Sequence, residues 1–346
     1  MRRCCRLQHV LGFSVVACFC AFTIFVLSRR RGLEKKWPRR IDILRDLAEE
    51  EDIVHLKQTE RSEQKLNASL YEPYLFVAIK SGPARVERRN RLREMWVQSC
   101  LNGEASHAAR KKKSFVSCAF VVGKANAETL RKDVIAEQKE HNDMILAPMP
   151  EGYSRMTAKS LWIFLWFHSN HQHHFLMITE DDALVMFNTL LPWIGVQPRA
   201  RFYAGHYHAA PIVYRCPDAA NTNPDCVSRE AYSKDLYPRF ASSFAYVVSR
   251  DITLLAAHTA LGRIAFPGLP GNAEAAMVGV LLDENGIDLV DAKAFINYRL
   301  EMCPEIAGTG DIMVVGNAPQ DIMEKLAENI DHKKPVCAGV RVHKWQ

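Results

Sequence analysis

Three adjacent carboxylates interrupt an apolar stretch near the middle of the chain. A mainly apolar run, residues 175–179, ends in Glu180, Asp181 and Asp182, and an apolar run resumes at Ala183. Like charges at the end of a half-buried strand repel one another unless a cation neutralises them. Oxygen-only ligands suit Mg²⁺ or Mn²⁺, so this segment is a candidate metal site. The alternative is a solvated acidic turn after a buried strand.

A second set of charged residues follows the first strand-like run. Residues 75–79 are apolar, Lys80 comes directly after them, and a basic helix is predicted over residues 86–97. Arg89 and Arg93 are four positions apart in this helix and therefore share one face. Cations beside the end of a strand could meet a nucleotide diphosphate. The alternative is a basic surface helix that buries only its tryptophan.

Strand-like and helix-like patterns alternate along the chain that carries these residues. The predicted strands are residues 75–79, 115–122, 143–147, 175–179, 202–206 and 244–248, and the predicted helices are residues 86–97, 125–141, 154–167, 251–259, 274–285 and 319–329. Strands separated by helices of this length indicate an α/β protein with a mostly parallel sheet. Ligands of such sheets bind beyond the carboxyl ends of the strands, where both charged sets fall.

Composition is that of an ordinary globular protein. The chain has 346 residues, of which 48% are hydrophobic and 24% charged, so it can form one large domain or two small ones. Much of the net charge of +6 lies beside the first apolar run. The basic cluster at residues 110–113 has no interleaved aromatic residues, so we do not expect nucleic-acid binding.

The first apolar run, residues 10–27, is long enough for a membrane-spanning helix. It lacks an Ala-x-Ala-like cleavage site, which favours an uncleaved signal-anchor over a cleaved signal peptide. We therefore predict a cytoplasmic tail at residues 1–9, a signal-anchor helix at 10–27, a charged stem at 28–72 and a folded domain at 73–346.

Two signals disagree about which side of the membrane holds the folded domain. Basic residues are more numerous after the span than before it, which taken alone favours a cytosolic domain. A lumenal domain is favoured by the glycosylation sequon at Asn67 and by an even number of cysteines after the span. Those cysteines are Cys100, Cys118, Cys216, Cys226, Cys303 and Cys337. We expect a lumenal domain; the pairing is left open, although Cys216 and Cys226 could close a small loop.

Five short motifs follow one another in order between Tyr74 and Asp291. They are Ile79-Lys80-Ser81-x-Pro83 with Arg88-Arg89-x-x-Leu92-Arg93-x-x-Trp96, then Phe120-Val121-Val122-Gly123, Thr157-Ala158-Lys159, Glu180-Asp181-Asp182, and the stretch from Tyr237 to Asp251. Each is weak alone. The ordered set resembles glycosyltransferase family 31, the β1,3-galactosyltransferase and β1,3-N-acetylglucosaminyltransferase superfamily. Within it, the chain resembles the kinetoplastid branch, which uses UDP-galactose or UDP-N-acetylglucosamine.

This resemblance implies a GT-A fold and a single-pass type II protein of the Golgi membrane. The implied reaction is inverting transfer of galactose or N-acetylglucosamine from a UDP-sugar to a glycan hydroxyl, with a β1,3 linkage and Mn²⁺ or another divalent cation as cofactor. The implied partners are therefore a nucleotide-sugar donor and a glycan acceptor; oligomeric state is not predicted.

The same resemblance also implies roles for individual residues of the metal and nucleotide site. Asp182 is the implied metal ligand, and its neighbours Glu180 and Asp181 bind the metal through water or contact the ribose. Arg89 and Arg93 are expected in the nucleotide pocket, with Lys80 at its edge.

The chain departs from the family pattern where a general base is expected. The family has a Glu-Asp pair there, and this chain has Glu274 followed by Ala275. Either Glu274 is the base, or activity is weak, or the chain is an inactive relative that binds nucleotide-sugar or partner transferases as a scaffold. An acidic residue in the first turn of a helix is also favoured by the helix dipole alone.

Overall fold

The computed structural model describes residues 72–101, 114–207, 212–215, 226–229, 232–262, 274–298, 312–332, 334 and 338–340. The predicted tail, signal-anchor and sequon lie outside these residues, as does the stem up to residue 71. Within the described ranges, no helix has both the length and the apolar character that crossing a membrane requires. The predicted domain boundaries stay predictions.

A seven-stranded sheet forms the centre of the domain, with strands in the order β3-β2-β1-β4-β7-β6-β8. The strands are β1 Glu72–Ser81, β2 Ser114–Lys124, β3 Met144–Pro150, β4 Phe175–Glu180, β6 Tyr203–Tyr207, β7 Ala241–Ser249 and β8 Val290–Asp291. The pairs β2–β3, β1–β2 and β1–β4 are parallel. This confirms the predicted α/β class with a mostly parallel central sheet.

The sheet reverses direction on the far side of β4. Strand β7 runs antiparallel to both β4 and β6, a reversal that the sequence did not indicate. A second, three-stranded sheet was also not predicted. It contains β5 Ala183–Val185, β9 Phe295–Asn297 and β10 Val314–Gly316, with β10 in the middle.

Helices connect the strands and cover the sheet. They are α1 Val86–Leu92, α2 Gln98–Leu101, α3 Glu128–His141, α4 Met156–Asn170, α5 Phe187–Ile194, α6 Arg250–Gly262, α7 Glu274–Asp283 and α8 Gln320–Asp331. Helices α6 and α7 both pack on α4, and α7 also contacts β7. Helix α5 and the short helix α2 are the two helices of this set that were not predicted.

The basic helix is longer than predicted and contains a π-helical turn, Arg93–Val97, between α1 and α2. Trp96 in this turn is buried and donates its indole N–H to the carbonyl of Ala183 at 3.0 Å. The basic helix is thereby fixed beside the turn that carries the carboxylates. Cys100 of α2 forms a disulfide with Cys118 of β2, which holds the end of the helix on the sheet.

Cys226 is also disulfide-bonded. Its partner lies outside the described residues, because Cys100 and Cys118, the other two described cysteines, bond to each other. The suggested Cys216–Cys226 loop involves one described residue and one outside them, and it stays a prediction.

Candidate active site

The carboxylates predicted from the sequence lie at the carboxyl edge of the central sheet. Glu180 is the last residue of β4, and Asp181 and Asp182 form the turn into β5. The parallel register places Lys80 of β1 directly beside Glu180. Lys80 Nζ is 2.9 Å from Glu180 Oε1, so the register of two adjacent strands creates the first ion pair of the site.

Glu274, the first residue of α7, completes a triad with these two residues. Its Oε2 atom lies 3.1 Å from Lys80 Nζ. Its Oε1 atom accepts hydrogen bonds from Ser160 Oγ at 2.5 Å and from Tyr246 Oη at 3.1 Å. The Glu274 side chain is fully buried. Both carboxylate oxygens are therefore engaged by protein donors, and neither faces solvent.

The charged groups of this triad stabilise one another's ionised forms. Burial acts to lower the pKa of Lys80, but the carboxylates of Glu180 and Glu274 outweigh it and the net pKa is raised. Burial raises the pKa of Glu180, and Lys80 only partly offsets this. Lys80 is consequently a permanent ammonium ion that is shared between two carboxylates.

Asp181 and Asp182 meet a different set of cations. Asp181 accepts a hydrogen bond from Ser81 Oγ at 2.7 Å, from Arg85 Nη1 at 2.8 Å and from Arg88 Nη1 at 3.2 Å. The same Arg88 nitrogen lies 3.8 Å from Asp182 Oδ2. The Asp181 side chain is buried, whereas that of Asp182 is 26% exposed. Asp182 is thus the most open carboxylate of the triplet.

Arg89 and Arg93 do not join this cluster. Arg89 is fully buried and forms two hydrogen bonds with Glu137, at 2.7 and 2.5 Å. Arg93 forms two bonds with Asp143, at 2.7 and 2.9 Å, and one with Glu137 at 2.9 Å. Arg89 reaches the site only through Ser81, whose Oγ lies 3.0 Å from its Nη1. Both guanidinium groups are thus enclosed by protein partners, and their place in the nucleotide pocket stays a prediction.

Lys159 supports the same edge of the sheet from α4. Its ammonium group donates to the carbonyl of Ser81 at 2.8 Å and to Glu151 Oε2 at 2.9 Å. Burial lowers the pKa of Lys159. Glu151 also accepts the backbone N–H of Gly123 at 2.8 Å. A Cβ at position 123 would lie 2.8 Å from this carboxylate oxygen. It would also lie 3.0 Å from the backbone carbonyl oxygen of Met149 and 3.2 Å from the Cα of Glu151, so a side chain there would force the backbone to shift.

Five residues of the site had no role predicted from the sequence: Ser81, Arg85, Arg88, Ser160 and Tyr246. Ser81 and Arg88 lie within the first motif and Ser160 directly follows the third, but a small hydroxyl residue or one arginine among several carries little signal. Arg85 precedes α1 by one residue, and only the turn after β1 directs its side chain to Asp181. Tyr246 lies in a predicted strand, where an aromatic residue indicates core packing.

The donor set at this edge consists of carboxylate oxygens, which suit Mg²⁺ or Mn²⁺. The described residues contain no group of three or more His, Cys, Asp or Glu side chains placed to hold a metal ion. A complete protein cage is therefore absent from this part of the chain. Mg²⁺ commonly takes one or two carboxylates together with substrate phosphates and water. The partly exposed Asp182 fits a cation of that kind.

The position where the family pattern has a second acid is apolar in this chain. Ala275 is 2% exposed and belongs to a small apolar cluster with Ala276 and Phe240, against which Tyr237 packs. Ala275 itself supplies no carboxylate, and the side chain of the neighbouring Glu274 contacts Lys80.

A parallel α/β sheet with carboxylates and balancing cations at its carboxyl edge is typical of proteins that bind nucleotides there. The chain belongs to the galactosyltransferase family, whose sequence model matches residues 87–293. This confirms the family predicted from the ordered motifs; the kinetoplastid branch stays a prediction.

Relatives of this family carry β1,3-transferase names. Human lactosylceramide 1,3-N-acetyl-β-D-glucosaminyltransferase is 26% identical over 189 residues, 51% of this chain and 46% of that protein. β-1,3-Galactosyltransferase 5 of Pan paniscus is 26% identical over 182 residues, 52% and 56% of the two chains. Human acetylgalactosaminyl-O-glycosyl-glycoprotein β-1,3-N-acetylglucosaminyltransferase is 25% identical over 226 residues, 62% and 53%. The chain thus spans about half the length of these relatives.

A crystal structure of a glycosyltransferase involved in the glycosylation of the major capsid of PBCV-1 has a TM-score of 0.34 and 11% identity, over 74% of this chain and 99% of that one. The similarity is too low to support an inference.

Proposed function

We propose that this chain transfers galactose or N-acetylglucosamine from a UDP-sugar to a glycan hydroxyl, forming a β1,3 linkage with inversion. The observation that carries the proposal is the acidic edge at residues 180–182, balanced by Lys80, Arg85 and Arg88, in a chain of the galactosyltransferase family. The names of the relatives, which are galactosyl- and N-acetylglucosaminyltransferases, support the donor class.

In this reaction the acceptor oxygen forms a bond to the anomeric carbon while the bond from that carbon to the phosphate oxygen breaks. UDP leaves with the electron pair, and the acceptor proton passes to water. A bound Mn²⁺ would neutralise charge on the departing diphosphate. We assign Asp182 as its protein ligand, and Glu180 to a contact with the metal-bound water or the ribose. Asp181 holds Arg85 and Arg88 beside them.

We propose that Glu274 positions Lys80 rather than accepting the proton itself. A general base must lie within hydrogen-bond reach of the group it deprotonates. Glu274 is buried and already accepts hydrogen bonds from Lys80, Ser160 and Tyr246. To act as the base, it would have to give up one of these hydrogen bonds and form one with the glycan hydroxyl instead. Arg89 and Arg93 are likewise assigned to support, since they hold α1 and the π-helical turn against Glu137 and Asp143.

One observation favours a second candidate function, an inactive relative that binds nucleotide-sugar or partner transferases as a scaffold. Ala275 is buried among apolar side chains where the family pattern has an acid. Loss of a general base commonly costs about 10²–10⁴-fold in rate. A nucleotide-sugar site without turnover would follow from this substitution.

Two measurements separate the candidates. UDP binding in Mn²⁺ is measured by calorimetry for the native chain, Asp182→Asn and the control Asp133→Asn, which alters an exposed residue of α3. We expect Asp182→Asn to weaken binding by about tenfold or more and the control to match the native chain. Equal binding by all three proteins would refute the metal assignment.

The second measurement is UDP release from UDP-galactose and UDP-N-acetylglucosamine with β-galactoside and N-acetylglucosaminide acceptors. Sustained release that depends on the acceptor excludes the scaffold function. Binding of UDP without any acceptor-dependent release supports it.

We also propose that the domain lies in the Golgi lumen, carried by a type II signal-anchor at residues 10–27. Disulfides form and persist mainly in oxidising compartments. The Cys100–Cys118 bond and the bonded Cys226 support a lumenal domain. Sensitivity of an Asn67 glycan to glycosidase in sealed microsomes, only after detergent is added, would test this topology; a domain digested by external protease without detergent would contradict it.

A further inference from the structure

Two arginines occupy the side of the acidic turn where the carboxylate is most open. Arg85 and Arg88 both place Nη1 on Asp181 Oδ1, at 2.8 and 3.2 Å, and Arg88 also approaches Asp182 Oδ2 at 3.8 Å. Each arginine side chain is 50% exposed. They differ in this respect from Arg89 and Arg93, whose guanidinium groups are enclosed.

The two arginines are not equivalent. Arg85 contacts Asp181 closely, and Asp181 is also fixed by Ser81. Arg88 lies between Asp181 and Asp182, with the longer distance to Asp182. A guanidinium and a divalent cation repel each other, so a metal ion on Asp182 disfavours the present Arg88 position. A diphosphate, by contrast, is a good acceptor for the two-pronged hydrogen bonding of arginine.

We propose that Arg88 is an exchangeable counter-ion of Asp182. Without ligands it neutralises Asp182 and competes with a divalent cation. When the cation and a nucleoside diphosphate bind together, Arg88 leaves Asp182 and donates to the diphosphate, while Arg85 remains on Asp181. Binding of the two ligands is therefore cooperative, and Arg88 is a source of that cooperativity. This inference rests on the proposed function, because it requires a metal–diphosphate site at Asp182.

The test uses two binding measurements that should change in opposite directions. Free Mn²⁺ is counted by electron paramagnetic resonance with no nucleotide present, and UDP binding is measured by calorimetry in saturating Mn²⁺. In Arg88→Ala we expect Mn²⁺ alone to bind about 3–10-fold more tightly, because a neighbouring positive charge is gone. We expect UDP to bind about tenfold more weakly, because a charge-assisted hydrogen bond is lost.

Two further variants serve as controls. Arg91→Ala removes another arginine of the same helix. Arg91 is paired with Glu87 and not with the acidic turn, so this variant should leave both affinities unchanged. Arg88→Lys keeps the charge without the two-pronged geometry, so Mn²⁺ alone should bind as in the native chain. Thermal unfolding of every variant establishes that it is folded.

The possible failures are distinguishable. If the native chain binds no UDP in Mn²⁺, both the proposed function and this inference are refuted. If the native chain binds UDP and Arg88→Ala changes neither affinity, or weakens both, only the inference is refuted.

Discussion

At the scale of single residues, Lys80 is a buried cation whose charge is balanced by two carboxylates. One buried ammonium lies within 3.1 Å of two carboxylates, on Glu180 and Glu274. Burying charges is costly, and their mutual attraction offsets that cost only when every charge keeps its partner. The arrangement therefore contributes less to net stability than its short distances imply, but it makes the loss of any one partner severe.

Replacing Lys80 by methionine should destabilise the fold strongly. The variant leaves Glu180 and Glu274 close together without their cation, and we expect a loss of about 3–5 kcal/mol in the free energy of unfolding. Chemical denaturation measures it. Lys132→Met, at an exposed position of α3, should stay within about 0.5 kcal/mol of the native chain.

The double variant Lys80→Met with Glu274→Gln tests the cause of that loss. It removes one of the two unpaired charges and should recover part of the stability. A single Lys80→Met variant as stable as the Lys132→Met control would contradict the assigned charge balance.

Residue types predicted the acidic edge because Lys80 and residues 180–182 directly follow two predicted strands, and the carboxyl ends of parallel strands meet at one edge of a sheet. The surroundings of Glu274 could not be predicted in this way, since its hydrogen-bond donors Ser160 and Tyr246 lie in a helix and a strand that are distant in sequence. For Arg89 and Arg93 the spacing indicated a shared face, but the direction of that face depends on how α1 packs against Glu137 and Asp143.

At the scale of elements, periodicity predicted most strands and helices but not their directions. An apolar run has the same pattern in a parallel and in an antiparallel strand, so the sequence did not indicate that β7 runs antiparallel to its neighbours. The three-residue strands β5, β9 and β10 are too short to show alternation. Their sheet is positioned by contacts between elements, among them the close packing of Gly316 in β10 against Phe244 in β7.

Gly316 should tolerate no side chain. A Cβ built there would lie 2.2–2.6 Å from atoms of Phe244, and Phe244 is itself fully buried. We expect Gly316→Ala to cost at least about 2 kcal/mol in the free energy of unfolding, because overpacking a core forces displacement. The control is Gly152→Ala, where the nearest side-chain atom to a new Cβ lies at 3.9 Å. Equal stabilities for the two variants would show that β7 and β10 do not pack in this way.

At the scale of the whole molecule, the central sheet has carboxylates at one edge and buried histidines at the opposite edge. At the amino end of β4, opposite the carboxylates, His171 packs 4.3 Å from the ring of Phe76 and 4.8 Å from that of Trp166, centroid to centroid. Neither ring nitrogen of His171 is hydrogen-bonded within the described part of the chain. Burial lowers the pKa of His171 to about 4.

The lowered pKa of His171 predicts acid sensitivity. The unfolded chain takes up a proton near pH 6.5 and the folded chain only near pH 4, so stability is full above about pH 6.5 and falls as pH drops between these values. The loss from this residue is about 3 kcal/mol. His173 acts in the same direction, because burial also lowers its pKa.

Denaturation midpoints recorded from pH 7 to pH 4 measure the effect. His171→Phe should reduce the dependence on pH, because it removes a group that takes up a proton on unfolding. His258→Phe, at an exposed position of α6, should retain the native dependence. A native chain with the same midpoint throughout this range would contradict the prediction.

The contact between Lys80 and Glu274 also has a consequence for how the protein is made. The two residues are 194 positions apart, and at about 5–20 residues per second a ribosome needs roughly 10–40 seconds to add that length. During this interval Lys80 of β1 has been synthesised, but its second carboxylate partner, Glu274, has not. The triad cannot close until α7 has left the ribosome. A nascent chain stalled before residue 274 should accordingly be cleaved by protease near the end of β1, at a position that the complete protein protects.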